Sequence, residues 1–510
     1  MLSKTLLKNN LYFDSVSLMK ISGQISAMSG VKEVLVGMGT ALNKELLQNM
    51  GLLDAGMQNA APNDLMIGIL AENNDALEAA LKEIERSFDK KNKAPKGAAR
   101  KFQTIQQVAD INEAYNMAVI SVPGQYAAGE CKNALKNNMN VFLFSDNVSV
   151  EEEIELKDMA LERGLLMMGP DCGTAIINGV PLGFANRVRR GDIGIVAASG
   201  TGLQHLTTLI DHMGGGITQA IGTGGRDLSE KVGGRTILAA LDALKDDPQT
   251  KVVVILSKPP AGAVAKKVLD KASKLGKPVV LCLFGQDKMD GLGNLNQCFD
   301  IEECAAKAVS LSLGRGAEFD NAVMKTQAAD EFLKTRQPQQ KFVRGIFGGG
   351  TLCDEVMITF RRNKVTLRSN IPISENERLK DIHKSEGNTF IDMGDDYFTR
   401  GKPHPMIDPS LRNRRIVQDA LESDTAAIML DFVLGHGSHP DPAGVALEAV
   451  NEAKAALDKT GRKILWLASV VGTQNDPQNY REQITKLLDA GFIVSESNVR
   501  LARLAAKIAG

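Results

Sequence analysis

From Gly191 onward, short apolar runs rich in Val, Ile and Leu alternate with stretches of helical period, and this alternation constrains the fold more than any other feature. The runs "IGIVAA", "ITQAIG", "KVVVILS" and "PVVLCLFG" are almost continuously apolar, as strands covered on both faces must be. Helices are expected between them near 202–213, 235–245, 261–275 and 302–313. That order predicts a doubly wound parallel sheet, with ligands at the carboxyl ends of its strands. The same alternation returns over 342–510, through "FVRGIFG", "TFIDMG", "AAIMLDFVLG", "ILWLASVVG" and "FIVSE".

A chain of 510 residues exceeds one ordinary core. The fold class expected is α/β, with several doubly wound parallel-sheet domains of Rossmann or flavodoxin type. Residues 1–92 read as an N-terminal α/β domain, closed off by the Lys-rich stretch "KKNKAPKGAARK" at 90–101. Residues 101–190 form a second α/β unit, 191–313 a third, and 342–510 a fourth, with the polar stretch 314–341 as a linker. The last two units read as copies of one another. "IGTGGRD" (221–227), "DAL" (242–244) and "VVVILS" in the first have counterparts in "IDMGDDY" (391–397), "DAL" (419–421) and "AIMLDF" in the second, in the same order.

Composition excludes several function classes. Sixty basic residues balance 61 acidic ones, and aromatic residues are 5 %, which leaves no basic patch or stacking platform for nucleic acid. No apolar segment approaches the roughly 20 residues of a membrane span. The six cysteines are scattered without C-x-x-C or nearby His, so no metal site is expected. A cytoplasmic protein acting on small molecules is the expectation.

The candidate site residues lie where strands meet helices. Ser199, Gly200, Thr201 and Gly202 follow "IGIVAA" and open a helix. Two glycines admit a ligand to the backbone, two hydroxyls add donors, and free N–H groups at a helix N-terminus attract an anion. The stretch is neither a Walker A loop nor a hydrolase elbow. In the second copy, "VLGHGSHPDPAG" supplies Gly435, His436, Gly437 and Ser438 before another helix, and a convergence of the two turns on one dianion is expected. "MGPDCGTAI" offers Asp171 and Gly173, and "LSKPPAG" places Lys258 at the end of a central strand. "RGKPHPMIDPSLRN" spreads Arg400, Lys402, His404 and Arg412 over a Pro-stiffened loop after the pair Asp395 and Asp396, a pattern suited to clamping an anionic substrate. Lys258, His404 and Arg412 are the candidates for catalytic roles.

Residues 115–314 resemble the alpha subunit of succinyl-CoA synthetase. "VISVPG" stands at that family's coenzyme-A-side strand, "MMGPDCG" at its Gly-Pro-Asn-Cys-Pro-Gly turn, and "GDIGIVAASGTG" at its phosphate-binding strand and turn. On this resemblance 101–190 is CoA-binding-like and 191–313 ligase-like. Residues 343–510 are similar to the C-terminal ligase domain of the beta subunit, with "LDFVLGHGSHPD" at its second phosphate-facing helix start. Over nearly its whole length the chain is similar to the FdrA family, through "DSVSLM", "FSDNV", "GLLMMGPDCGT", "GGRDLS", "SKPP" and "RGKPHPMIDPSLRN".

The departures bear on mechanism. The synthetase's active-site His lies in a Gly-His-Ala-Gly loop, whereas the corresponding "FGQDKMDGLGNLNQCFD" has none, and no nucleotide-binding domain separates the two ligase-like halves. The FdrA resemblance implies a subunit of an oxamate carbamoyltransferase in allantoin breakdown, taking oxalurate and phosphate to oxamate and carbamoyl phosphate. Phosphate is then a substrate and no cofactor is required in the chain, although coenzyme A remains possible. Companion subunits or a homo-oligomer are implied as partners. The alternatives are an NDP-forming acyl-CoA synthetase and a non-catalytic scaffold or regulatory subunit.

Overall fold

The computed structural model describes all residues except 10, 12, 14, 93–101, 112, 113, 259 and 401, and the side chains of 15, 16 and 89–92. Most of the Lys-rich stretch at 90–101 therefore lies outside the described residues, as do Pro259 and Gly401. The chain divides into two compact units, one of residues 1–113, 121–123 and 396–403, the other of 114–120, 124–395 and 404–510. Among the described residues, no helix is long and apolar enough to cross a membrane.

The first unit holds a three-stranded sheet of β1 (Leu2–Lys8), β2 (Val31–Met38) and β3 (Leu65–Ala71) in the order β1-β3-β2. Both pairings are antiparallel, unlike the parallel sheets expected throughout. The sequence reading also left out β1. Its sequence "LSKTLLK" is mostly exposed and too polar to stand out as a strand, yet it occupies the edge beside β3.

The second unit holds the parallel sheets. β4 (Met117–Ile120), β5 (Asn140–Leu143) and β6 (Met167–Met168) form a small one. Next come β7 (Thr174–Ile177), β8 (Val180–Gly183), β9 (Arg190–Ala198), β10 (Ile217–Gly222), β11 (Val252–Ser257), β12 (Val279–Leu283) and β13 (Leu295–Cys298). They build a seven-stranded sheet in the order β13-β12-β11-β9-β10-β7-β8, parallel except for the β7–β8 hairpin at one edge. β14 (Phe342–Phe347), β15 (Arg368–Ser369), β16 (Thr389–Asp392), β17 (Thr425–Val433), β18 (Leu465–Val471) and β19 (Phe492–Ser495) build a six-stranded, wholly parallel sheet in the order β15-β16-β14-β17-β18-β19.

The run β10-β9-β11-β12-β13 has the same connectivity as β16-β14-β17-β18-β19. In each run the first strand, β9 or β14, lies at the point where the order reverses, the place at which such sheets form ligand crevices. The stretch 314–341 between the two sheets contains the Gln327–Thr335 helix, with Ala329 and Phe332 buried.

Polar groups tie the two halves of this unit together. Asn186 Nδ2 donates to Leu434 O and to Asp476 Oδ2, and Thr473 Oγ1 donates to Arg187 O. Deeper in, Glu355 accepts from Ile301 N–H and from Asn498 Nδ2, while Asn498 N–H donates to His205 Nε2. Burial pushes the His205 imidazole down to about 3, and burial together with nearby Asp300 pushes the Glu355 carboxyl up to about 7. A carboxyl raised on folding adds stability that is complete below its ordinary value of 4.5 and is lost as pH climbs through about 7. Glu355→Gln is therefore expected to narrow the stability difference between pH 5 and pH 8 by about 1–3 kcal/mol. Urea unfolding at the two pH values measures it, and an unchanged difference would place the titration elsewhere.

Candidate functional site

Two helix N-termini face each other within the second unit. After β9, Ser199 caps the Gly200–His212 helix by accepting from Gly202 N–H. After β14, the Gly350–Arg362 helix starts at Gly349 with no side-chain cap. Ser199 Oγ and Thr351 Oγ1 share a hydrogen bond of 2.6 Å that joins the two starts. A Cβ on Gly202 would stand 2.8 Å from Thr351 Cγ2, and one on Gly349 would stand 2.9 Å from Thr201 Oγ1. Only glycine permits this approach. Two partial positive charges brought so close favour an anion beside them, and the paired helix starts are a candidate cradle for one.

Ser199 thus meets Thr351 of the Gly348–Thr351 turn, which the sequence reading did not name beside Gly435–Ser438. That second loop packs against the segment after β8. Ala185 O accepts from His436 N–H at 2.8 Å, and Arg187 Nε donates to His436 Nε2 at 3.0 Å. Gly435 and Gly437 have φ of 109° and 81° and abut Ala185 and Phe184. Ser438 Oγ is buried without a hydrogen-bond partner. The helix that follows, Pro442–Asp458, is capped by its own Asp441.

Acidic and basic groups ring the second helix start. Lys258, directly after β11, lies 2.8 Å from Asp354 Oδ2 on the first turn and a half of the Gly350–Arg362 helix. Burial opposes the charge on Lys258, but Asp354 and Asp392 outweigh it and hold the ammonium above its ordinary value. Asp392 ends β16. Burial pushes its carboxyl up to about 7, against the pull of Lys258 and of Gly394 N–H, which donates to Oδ1 at 2.8 Å. Asp431 on β17 is wholly buried and accepts from Gly348 N–H at 2.8 Å and Gly349 N–H at 2.7 Å.

Arg412 is committed to that carboxylate. Its Nη1 donates to Asp431 Oδ1 at 3.0 Å and to Asp431 O at 2.8 Å, and its guanidinium lies over the Phe432 ring. His404 accepts from Met406 N–H at Nδ1, and Nε2 stands 2.6 Å from where a Cβ on Gly394 would lie, next to Gly348 O. Burial lowers the ring to about 4, so it is neutral at pH 7. Gly173 Cα lies 4.0 Å from a Cβ built on Gly200, which puts the Asp171–Gly173 turn on the same side of the cradle as the first helix start. Asp395 belongs to the second unit, whereas Asp396, Arg400 and Lys402 belong to the first and are exposed there.

Contacts link Gly200 to Gly173 and Thr174, and Lys258 to Asp354 on the second helix, while Gly437 packs on Phe184, whose ring also meets His404, and Leu434 O accepts from Gln204 Nε2 of the first helix. Gly349, Gly350, Thr351, Asp354, Asp392 and Asp431 stand among these groups, and the sequence reading did not single them out as site residues. A signal for three of them existed. Carrying the repeat back by one strand sets "FGGGT" (347–351) against "AASGT" (197–201), cap for cap.

Three sequence profiles match separate stretches of the chain, and the CoA-binding one falls on 188–284 rather than on 101–190. The sequence profile described as AllF, heavy metal-associated domain, matches residues 1–104, that of the CoA binding domain 188–284, and that of CoA-ligase 346–508. Residues 1–104 contain neither Cys nor His, and no cluster of His, Cys, Asp and Glu able to hold a metal occurs among the described residues. A soft metal does not fit this domain. The uncharacterized protein YahF of Escherichia coli (strain K12) is 48 % identical over 504 residues, 98 % of each chain. The succinate–CoA ligase [ADP-forming] subunit alpha of Staphylococcus epidermidis (strain ATCC 35984) is 25 % identical over 196 residues, 37 % of this chain and 63 % of that one. The dinucleotide-forming acetyl-coenzyme A synthetase 1 of Ca. Korarchaeum cryptofilum, in its apo form, superposes with a TM-score of 0.35 at 17 % identity, covering 81 % of this chain and 87 % of that one.

Proposed function

The chain belongs to the family of the Escherichia coli protein YahF, and we propose that it carries the phosphate site of a carbamoyltransferase acting on oxalurate. It bears CoA-binding and CoA-ligase domains, and so is related to enzymes that form and break activated acyl groups. One observation carries the finer reading. Ser199 and Thr351 join two helix starts, which on this reading cradle an anion, while no histidine occurs between His212 and His383, the stretch that holds the synthetase's relay loop. A cradle without a relay suits phosphate as the attacking group.

A phosphate oxygen held between the helix starts attacks the carbamoyl carbon of oxalurate, the bond from that carbon to nitrogen breaks, and oxamate leaves with a proton on that nitrogen. The helix starts orient the phosphate and stabilise the oxyanion that develops. Lys258, at the rim, suits the substrate carboxylate. Companion subunits complete the enzyme on this reading. Phosphate-dependent formation of carbamoyl phosphate from oxalurate is the expected result, measured with the chain alone and with copurifying subunits. No turnover in either preparation would overturn the assignment.

The CoA-ligase match over 346–508 favours a second reading, an NDP-forming acyl-CoA synthetase. That reaction needs a phosphorylated histidine, ATP or GTP, and coenzyme A. Incubation with labelled ATP or GTP is expected to leave no acid-labile label. A stoichiometric phosphohistidine would move the conclusion to the ligase.

A further inference from the structure

We infer that Asp392 is the group that moves the proton in this transfer, an assignment that rests on the carbamoyl-transfer reading of the same cradle. Phosphorolysis of an amide needs one, because a nitrogen anion is a poor leaving group and must be protonated as its bond to carbon breaks. The proton is available on hydrogen phosphate and has to travel from the attacking group to the departing one.

The other ionisable groups around the cradle are each engaged. Asp431 takes Gly348 N–H, Gly349 N–H and Arg412. Asp354 is paired with Lys258. His404 has Nδ1 occupied by Met406 N–H and is held neutral. Asp392 differs. Its Oδ1 accepts from Gly394 N–H, and its backbone is clamped by Asn370 through Asp392 N–H and O. No hydrogen bond reaches Oδ2 among the described residues, although Asp392 is 8 % exposed. Oδ2 stands 2.5 Å from the position of a Cβ on Gly350, so it projects over the first residue of the uncapped helix. A buried, rigidly held carboxyl with one open oxygen thereby lies beside the start of that helix.

The groups facing it are Lys258 from the end of β11, the buried Cys353 thiol and Asp354 from the Gly350–Arg362 helix, Asp395 from the following turn, and His404 across Gly394. Burial raises the carboxyl to about 7, the range in which an acid both gives and regains a proton readily. Protonated Asp392 gives its proton to the oxamate nitrogen. The P–O–H proton of the attacking hydrogen phosphate then restores it, so the exchange balances without any other reagent.

The test uses two carbamoyl donors and the full-length chain with its copurifying subunits. Asp392→Asn keeps an oxygen for Gly394 N–H and is expected to slow kcat with oxalurate by about 100-fold or more. With an aryl carbamate, whose phenolate departs without a proton, the loss should be under about threefold, and inorganic phosphate should bind no more weakly. A merely structural residue would slow both donors alike, and that result, or an undiminished rate with oxalurate, overturns the role of Asp392 while leaving the transfer reading intact. A wild type that phosphorolyses neither donor overturns the transfer reading itself, and this assignment with it. The second variant is Asp354→Asn. Its loss removes a negative neighbour and frees Lys258 for Asp392, so the pH at which kcat falls should move down. A fall at unchanged pH speaks against Asp392.

Discussion

Asp431→Ala is expected to cost the second unit about 3–5 kcal/mol of stability, the range for breaking a buried ion pair by removing one member. Asp431 and Arg412 are both buried, and Arg412 Nε already lacks a partner. Without the carboxylate, the guanidinium keeps only Asp431 O, and the amides of Gly348 and Gly349 lose their acceptor. Burial raises the Asp431 carboxyl, and Arg412 and the two amides oppose that rise. Replacing both residues with apolar side chains of similar volume should restore much of the loss, since no uncompensated charge remains. Urea unfolding of the single and double variants measures both effects. A single-variant loss under about 1 kcal/mol would mean that water or a neighbour compensates Arg412.

The largest expected effect on ligand binding comes from Gly200→Val combined with Thr201→Val. The affinity for inorganic phosphate should fall about 10–100-fold, or about 1.4–2.8 kcal/mol, in line with losing access to one helix terminus. The fold should survive. A Cβ on Gly200 meets Thr174 Oγ1 at 3.6 Å and Gly173 Cα at 4.0 Å, both ordinary contacts. The branched methyls then occupy the approach to the free N–H groups, while the Thr201 change removes a hydroxyl and keeps its volume. Ser199 and its bond to Thr351 are untouched, so a lost affinity would report the cradle rather than its frame. Calorimetric titration with phosphate measures it, and unchanged affinity would place the anion elsewhere.

Both expectations depend on which turns face each other, and here local pattern was a poor guide. Gly435 and Gly437 resemble Gly200 and Gly202 in sequence, since each pair is embedded among Ser, Thr or His after an apolar strand. In the structure, Gly435 and Gly437 have positive φ and serve a backbone turn. Gly202 and Gly349 have ordinary φ and are required by close approach to Thr351 and Thr201. A sequence shows that a glycine is present but not which of these demands it meets. Arg412 illustrates the same limit. A cation on a Pro-rich loop looked free for substrate, yet the Ser410–Leu421 helix buries it against Asp431.

The sequence by itself determined the alternation of buried strand and helix, hence two doubly wound sheets with a glycine-bearing junction after β9 and after β14, because hydrophobic period is a local property of the chain. It also determined that no histidine lies in the stretch where the synthetase holds its relay. Only the tertiary structure decided that these two junctions meet and that Asp392, Asp354 and Lys258 stand beside the second of them. Ser199 and Thr351 are 152 residues apart, and their meeting depends on how the first helix of each half packs against the other. That packing is set by the side-chain faces of both halves together, which no single stretch of sequence displays.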